Sequence, residues 1–194
     1  WSEIKSLNDL SIRGLKEEVY FGGLRNIQRF NWLILYLLGA SPVIPKSFFN
    51  KPPEGLKEKN DYYFSDYSTS LRMSEYGYQN KNQRRLHVSY DSLSDYSRDL
   101  IELTRLESIE FKNIPINLNE KIQQISHAYL QIEDEYYSFA RPKSSLTSDE
   151  RTIKKLNSSG VDYIEYRAID LNPFSRVGID IRDIDFLEIF IIYC

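Results

Sequence analysis

Three groups of residues have types and spacings that could do chemistry. In VDYIEYRAID, residues 161–170, Glu165 and Arg167 lie two apart, so a strand would place them with Tyr163 on one face and Ile164, Tyr166 and Ala168 on the other. In TSLRMSEYGYQN, Arg72 precedes Tyr78, and in LQIEDEYY the residues Gln131, Glu133, Glu135 and Tyr137 alternate. Singly, each group is ordinary, since strand faces carry charges and tyrosines fill cores. A carboxylate beside a guanidinium fits either a solvated face or the floor of a polar site. Together the groups describe a funnel with cations and carboxylates. Carboxylates hold Mg²⁺ through oxygen and Mg²⁺ bridges to phosphates. Arginine forks onto carboxylate or phosphate, and tyrosine binds small polar groups while its ring excludes water. Such a set suits phosphoryl transfer to a carboxylate, with developing charge stabilised by metal and arginine.

Positioning these residues requires both helices and strands. Residues 23–38 favour an increasingly buried helix, with Gly39 as its stop and Pro42 beyond it. Residues 41–55 carry four prolines and read as loop, and residues 57–60 as a charged turn. Residues 62–78 are rich in Tyr and Ser, residues 80–85 are basic, and residues 86–90 read as a short strand. Ser92 can cap a helix with Leu93, Tyr96, Leu100 and Leu103 on one side. Residues 130–137 read as a second strand. Residues 147–150, TSDE, match a capping box that would start a helix ended by Gly160. After the strand at 161–170 come a turn at Asn172–Pro173 and a buried helix over 181–194. Strands mixed with helices, without βαβ alternation, predict an α+β fold.

Composition narrows the function classes. Of 194 residues 41% are hydrophobic, enough to bury a core, and the net charge of −3 argues against a general polyanion binder. The single cysteine, Cys194, excludes an internal disulfide framework and fits a reducing compartment. The longest apolar run, WLILYLL at 32–38, is far short of the roughly 18 residues of a spanning helix. No phosphate loop of the GxxxxGKS type and no GxGxxG are present, and His87 and His127 stand far apart. The chain opens on Trp1 and ends on the apolar FIIYC, so it reads as a piece truncated at both ends.

The stretches IQRFNWLILYLLGASP, TSLRMSEYGYQNKNQ, LQIEDEYYSFARPK and YIEYRAIDLNPFSRVGID, in this order along nearly the whole chain, resemble the glutamate–cysteine ligases of the proteobacterial type. The resemblance implies a curved, mostly antiparallel sheet with surrounding helices, like that of glutamine synthetase. Residues 1–194 would then be the central part of a single catalytic domain. It implies ATP-dependent ligation of L-glutamate to L-cysteine through a γ-glutamyl phosphate, with Mg²⁺, in the first step of glutathione biosynthesis. Residue by residue, Glu165 matches a metal-binding glutamate and Arg167 an arginine at the transferred phosphate, the two catalytic candidates. Arg72, Tyr78 and Tyr137 match positions lining the cysteine site, with Arg72 expected to fork onto a substrate carboxylate. The family's other metal carboxylates and its metal-binding histidine precede this segment, and neither His87 nor His127 lies in that motif. A cytoplasmic monomer without nucleic-acid or membrane partners is expected. Two alternatives remain from the sequence. One is a single-strand nucleic-acid binder using the tyrosines of 62–78 beside Lys81, Arg84 and Arg85. The other is a ligase of the same fold taking another amine.

Overall fold

The structure is a computed structural model and describes residues 10–79, 83, 86–145 and 151–194. Its longest element is helix α1, Ile12–Leu38. Ser11 caps it by accepting a hydrogen bond from Gly14 N, and Gly39 ends it with an N–H bond to Leu35 O. The helix begins well before the expected residue 23. Gly22 and Gly23 weaken the local helix signal by about 1 kcal/mol each, but Phe21, Leu24, Ile27, Asn31 and Ile34 recur at helical spacing and are buried. Phe21 meets Tyr96 edge-to-face at 5.9 Å. Packing of this stripe overrides the glycines. The apolar run at 32–38 is not uniformly buried, because a single stripe faces the core and Trp32, Tyr36 and Leu37 stand exposed.

After α1 the chain forms strands β1, Val43–Pro45, β2, Lys57–Lys59, and β3, Tyr62–Phe64, an antiparallel sheet with β3 in the middle. Two expectations are corrected here. The proline-rich segment contributes an edge strand, where a missing N–H is tolerated. The charged turn is a strand followed by Asn60 at φ 49°, which lets β2 turn into β3. Residues 86–90 are not a strand: Ser89 N donates to Asp99 Oδ2 at 2.8 Å and Val88 is buried from an irregular segment. Helix α2, Leu93–Leu103, follows the expected pattern, with Ser92 as its cap and Leu93, Tyr96, Leu100 and Leu103 buried.

Residues 107–126 form the short helix α3, Ile109–Lys112, and a two-stranded hairpin of β4, Asn117–Leu118, and β5, Lys121–Ile122. The strand expected over 130–137 is absent. Gln131 Oε1 accepts from Ile125 N and Ser126 N, Glu135 Oε2 accepts from Gln131 N, and a 3₁₀ turn runs over Glu133–Glu135. These local side-chain bonds replace ladder bonds. Glu133, Glu135 and Tyr137 therefore share no strand face, and Glu133 instead lies 3.7 Å from Arg151.

Strands β6, Ala140–Lys143, and β7, Tyr163–Tyr166, pair antiparallel, with Arg141 opposite Glu165 and Pro142 opposite Ile164. Between them helix α4, Thr152–Ser159, ends at Gly160 with φ 83°. The TSDE capping box lies outside the described residues. Helix α1 packs across β6 and β7. Ala140 is buried, and Ile164 and Tyr166 pack against the core cluster. The Tyr166 hydroxyl donates to Asn31 Oδ1 at 2.6 Å. The chain turns at Asn172, whose Oδ1 accepts from Phe174 N, and enters helix α5, Ile181–Tyr193, through a capping box of Asp180 and Asp183. This helix is not buried throughout as expected: Leu187 and Phe190 face the core, whereas Ile189, Ile192 and Tyr193 are exposed. Cys194 is half-buried against the core. The fold is α+β with antiparallel strand pairs, and no described helix is long and apolar enough to cross a membrane.

Two glycines give opposite expectations. Gly22 sits in α1 with open space around a built Cβ, so Gly22→Ala should stabilise by about 0.5–1 kcal/mol. Gly160 needs φ 83° and a Cβ there would press on Arg13 at 3.3 Å, so Gly160→Ala should destabilise by about 1–2 kcal/mol. Urea unfolding of the two variants beside the parent protein measures both signs.

Candidate functional site

The site is built where three separated chain segments converge. The first is the end of α1. A Cβ on Gly39 would come within 2.4 Å of Leu35 O and 2.7 Å of Thr69, so a glycine is needed for the chain to pass. Thr69 Oγ1 donates to Leu35 O at 2.5 Å, Ser41 N to Thr69 O at 3.1 Å and Leu71 N to Ser41 O at 2.7 Å. This short parallel bridge carries the second segment, with Arg72, alongside the first. The third segment follows β7 and ends in Asp170.

Asp170 joins all three. Its Oδ2 accepts from Ala40 N at 2.9 Å and Ser41 Oγ at 2.7 Å, and its Oδ1 accepts from Arg72 Nε at 2.6 Å. The carboxylate is buried, which alone would raise its pKa. The hydrogen bonds from Arg72, Ala40, Ser41 and Ser70 outweigh burial and hold it below the ordinary aspartate value. Arg72 Nη2 donates to Ile169 O at 2.8 Å and Arg167 O at 3.1 Å. The fork expected to grasp a substrate carboxylate is therefore turned inward: Nε and both Nη2 hydrogens are committed within the protein.

Arg72 still shapes the site through its flat face. A Cβ on Gly77 would meet Arg72 O at 2.1 Å, and Tyr78 N donates to the same oxygen at 2.8 Å. That tight reversal lays the Tyr78 ring against the Arg72 guanidinium, 5.2 Å from its centroid. Tyr78 in turn stacks on Tyr137 at 5.0 Å and 6°. Arg167 covers the other side, with Cζ 4.9 Å from the Tyr137 centroid. Arg72, Tyr78, Tyr137 and Arg167 thus make one column of two rings between two guanidiniums. Cation–π contacts of this kind contribute about 0.5–1 kcal/mol each when exposed and more when desolvated. Tyr137 is further fixed by its hydroxyl on Met73 Sδ at 3.3 Å and its N–H on Gln83 Oε1 at 3.0 Å. Burial raises the Tyr137 pKa against the opposing pull of Arg167 and Arg72, so the phenol stays protonated near neutrality.

Strand β7 stops at Tyr166, and Arg167 lies one residue beyond it, its N–H bonded to Phe139 O at 2.8 Å. The alternation continues past the strand end. Ile164, Tyr166 and Ala168 face the core, and Tyr163, Glu165 and Arg167 point the other way. Among the described residues Arg167 has no carboxylate partner, which leaves its charge available to an anion. Glu165 does not touch the column. Its Oε2 lies 3.7 Å from Arg141 Nε across the ladder, too long for a hydrogen bond, and both atoms are buried without a hydrogen-bond partner. No group of three or more His, Cys, Asp and Glu among the described residues could hold a metal, so Glu165 offers at most one ligand. His127 Nε2 sits on Ile114 O and His87 is exposed, both away from the column.

The sequence reading missed Asp170, Ser41, Met73 and Arg141. A signal for Asp170 was present, because it falls on the same parity as Ala168 and Tyr166, the core side. A carboxylate there must find partners. The tyrosines of 62–78 do not form a stacking strip for single strands: Tyr63 is buried in β3 and Tyr78 is taken by Tyr137. Lys81, Arg84 and Arg85 lie outside the described residues.

The family model described as glutamate-cysteine ligase matches residues 1–194. The glutamate–cysteine ligase of Shewanella oneidensis is 39% identical over 199 residues, covering 100% of this chain and 38% of that protein. That of Alcanivorax borkumensis is 41% identical over 181 residues, covering 90% of this chain and 34% of its own. Among solved structures, the Francisella tularensis glutamate–cysteine ligase in complex with AMP superposes with a TM-score of 0.84 at 36% identity, over 100% of this chain and 38% of that one. A bifunctional glutathione synthetase from Pasteurella multocida gives 0.62 at 26% identity, over 95% of this chain and 19% of that one. The chain spans 38% of the length of the Shewanella relative. With the family's sequence over its whole length and the family's fold in its backbone, this chain belongs to the glutamate–cysteine ligases.

Proposed function

We propose that residues 1–194 are the central part of a single catalytic domain that ligates the γ-carboxylate of L-glutamate to the amine of L-cysteine at the expense of ATP, opening glutathione biosynthesis in the cytoplasm as a monomer. The observation that carries this reading is the column of Arg72, Tyr78, Tyr137 and Arg167 beside a strand-borne Glu165, in a chain matched by the ligase family end to end. The AMP in the Francisella structure supports an adenine nucleotide as co-substrate.

In this reading the column divides the site. Tyr78 and Tyr137 offer hydroxyls and ring edges to the incoming amino acid, and their rings keep water from the acyl phosphate that it attacks. The amine attacks the acyl carbon, the carbon–oxygen bond to phosphate breaks, and phosphate leaves with the electron pair and takes up the proton that the nitrogen sheds on becoming an amide. Arg167, without a carboxylate partner among the described residues, sits where it can offset charge on the transferred phosphoryl group. Glu165 Oε2, buried and without a hydrogen-bond partner, fits one ligand position of Mg²⁺, a hard cation that takes oxygen. When bound, Mg²⁺ would neutralise phosphate charge. Its other ligands would come from residues outside those the structure describes. Cysteine is favoured over other amines because the residues at the column are those matched to the family's cysteine site.

Two variants of the full-length protein test the assignment. Arg167→Gln should lower kcat by about 10²–10³-fold, because a charge-stabilising donor is lost, while the KM of each amino acid changes little. Steady-state phosphate release measures it; wild-type kcat would remove Arg167 from the phosphate site. Glu165→Gln keeps size and one oxygen but loses the charge. It should fold normally by circular dichroism, shift the Mg²⁺ midpoint upward, bind Mn²⁺ more weakly by electron paramagnetic resonance, and lose turnover that added Mn²⁺ partly restores. If Glu165 is only a face residue, stability should change by no more than about 0.5 kcal/mol and the Mg²⁺ midpoint stay put.

A further inference from the structure

We infer that Asp170, which touches no substrate in the proposed mechanism, is a positioning residue that sets the amino-acid subsite through Arg72. The inference rests on the proposed role of the column. Three observations carry it. Asp170 is buried and its Oδ1 takes Arg72 Nε at 2.6 Å, so the plane of the guanidinium is fixed by a charge-assisted bond. The Tyr78 ring lies against that guanidinium, its centroid 5.2 Å from Cζ, and Tyr78 stacks on Tyr137 at 5.0 Å. The same guanidinium grips the carbonyls of Arg167 and Ile169, so the backbone that presents Arg167 on the far side of the column is anchored to the residue that holds the near side. Both ends of the column therefore depend on one carboxylate.

The other strong features of the surface carry less. Asp95 and Asp99 on α2 both pair with Arg98, and the exposed apolar faces of α1 and α5 show no occupant. Asp170 differs because its bonds lead directly into the site. Without its charge, Arg72 is held inward only by the carbonyls of Arg167 and Ile169 through Nη2, so the guanidinium gains freedom to swing toward water or a substrate carboxylate and the ring stack loses its first support. An amide at this position would still accept on one oxygen but would present N–H groups to the Arg72, Ala40 and Ser41 donors around it.

The test uses the full-length ligase with steady-state kinetics for glutamate, cysteine and ATP separately. Asp170→Asn should raise the KM of the column's amino acid by about tenfold or more, with the KM of ATP within about twofold. Arg72→Lys should produce a similar rise, since an ammonium cannot hold Asp170 and two carbonyls in one plane. The double variant should be no worse than about twofold beyond Arg72→Lys alone, because both changes break the same connection. Ser41→Ala, which removes one donor to Asp170 while leaving every charge in place, should raise the same KM by about two- to fivefold. It serves as the reporter if Asp170→Asn does not fold. Lowered thermal stability with all three KM values unchanged, multiplicative effects in the double variant, or a folded Ser41→Ala with wild-type KM would each overturn the positioning role. Should Arg72→Lys itself leave both amino-acid KM values unchanged, the failure lies with the column as an amino-acid site and not with Asp170 alone.

Discussion

The buried ion pair of Asp170 with Arg72 organises the site. A carboxylate removed from water is stable only when its lone pairs are filled by donors, and here the donors come from two places far from it in the chain: Ala40 and Ser41 just after α1, and the Arg72 loop. Because each partner is held elsewhere as well, the pair has one geometry. Gly39 lets α1 end against Thr69, the Ser41–Ser70 bridge holds the loop in place, and the Arg72 guanidinium closes onto the carbonyls of Arg167 and Ile169. Apolar residues in place of the pair could not hold a guanidinium against the Tyr78 ring.

From that anchor the column of rings and cations grows outward. Stacking tyrosines between guanidiniums lets two positive charges approach one region without direct repulsion, since each faces the negative face of a ring. Arg72 is balanced by Asp170, whereas Arg167 keeps its charge for an anion. Glu165 and Arg141 show the complementary condition. They oppose each other across the β6–β7 ladder at a distance too long to bond, and each leaves a buried atom unpartnered. Their charges still face each other as an ion pair, but a buried donor and acceptor without hydrogen bonds are costly in an interior. The exposed apolar residues of α1 and α5, Trp32, Tyr36, Ile189 and Ile192 among them, accord with a chain that spans a little over a third of its relatives' length.

The sequence alone determined the α+β class and the helices whose apolar spacing is regular. Ser92 with Leu93, Tyr96, Leu100 and Leu103 could be read directly, because a cap and a 3.6-residue stripe are local properties. The alternation at Tyr163–Tyr166 could be read for the same reason, and it set Glu165 and Arg167 on one face. Where side chains compete with the backbone for hydrogen bonds, local reading failed. Alternation at 130–137 resembled a strand, but Gln131 and Glu135 bond the nearby main chain and bend it into a 3₁₀ turn. Glycines 22 and 23 resembled a helix boundary until Phe21 and Leu24 found the core. Only the tertiary structure decided that the Arg72 fork turns inward, that Tyr78 and Tyr137 stack between Arg72 and Arg167, and that Asp170 holds the arrangement. These contacts join residues up to 130 positions apart, and their geometry depends on which buried charge finds which donor, a choice made by packing and not by neighbours along the chain.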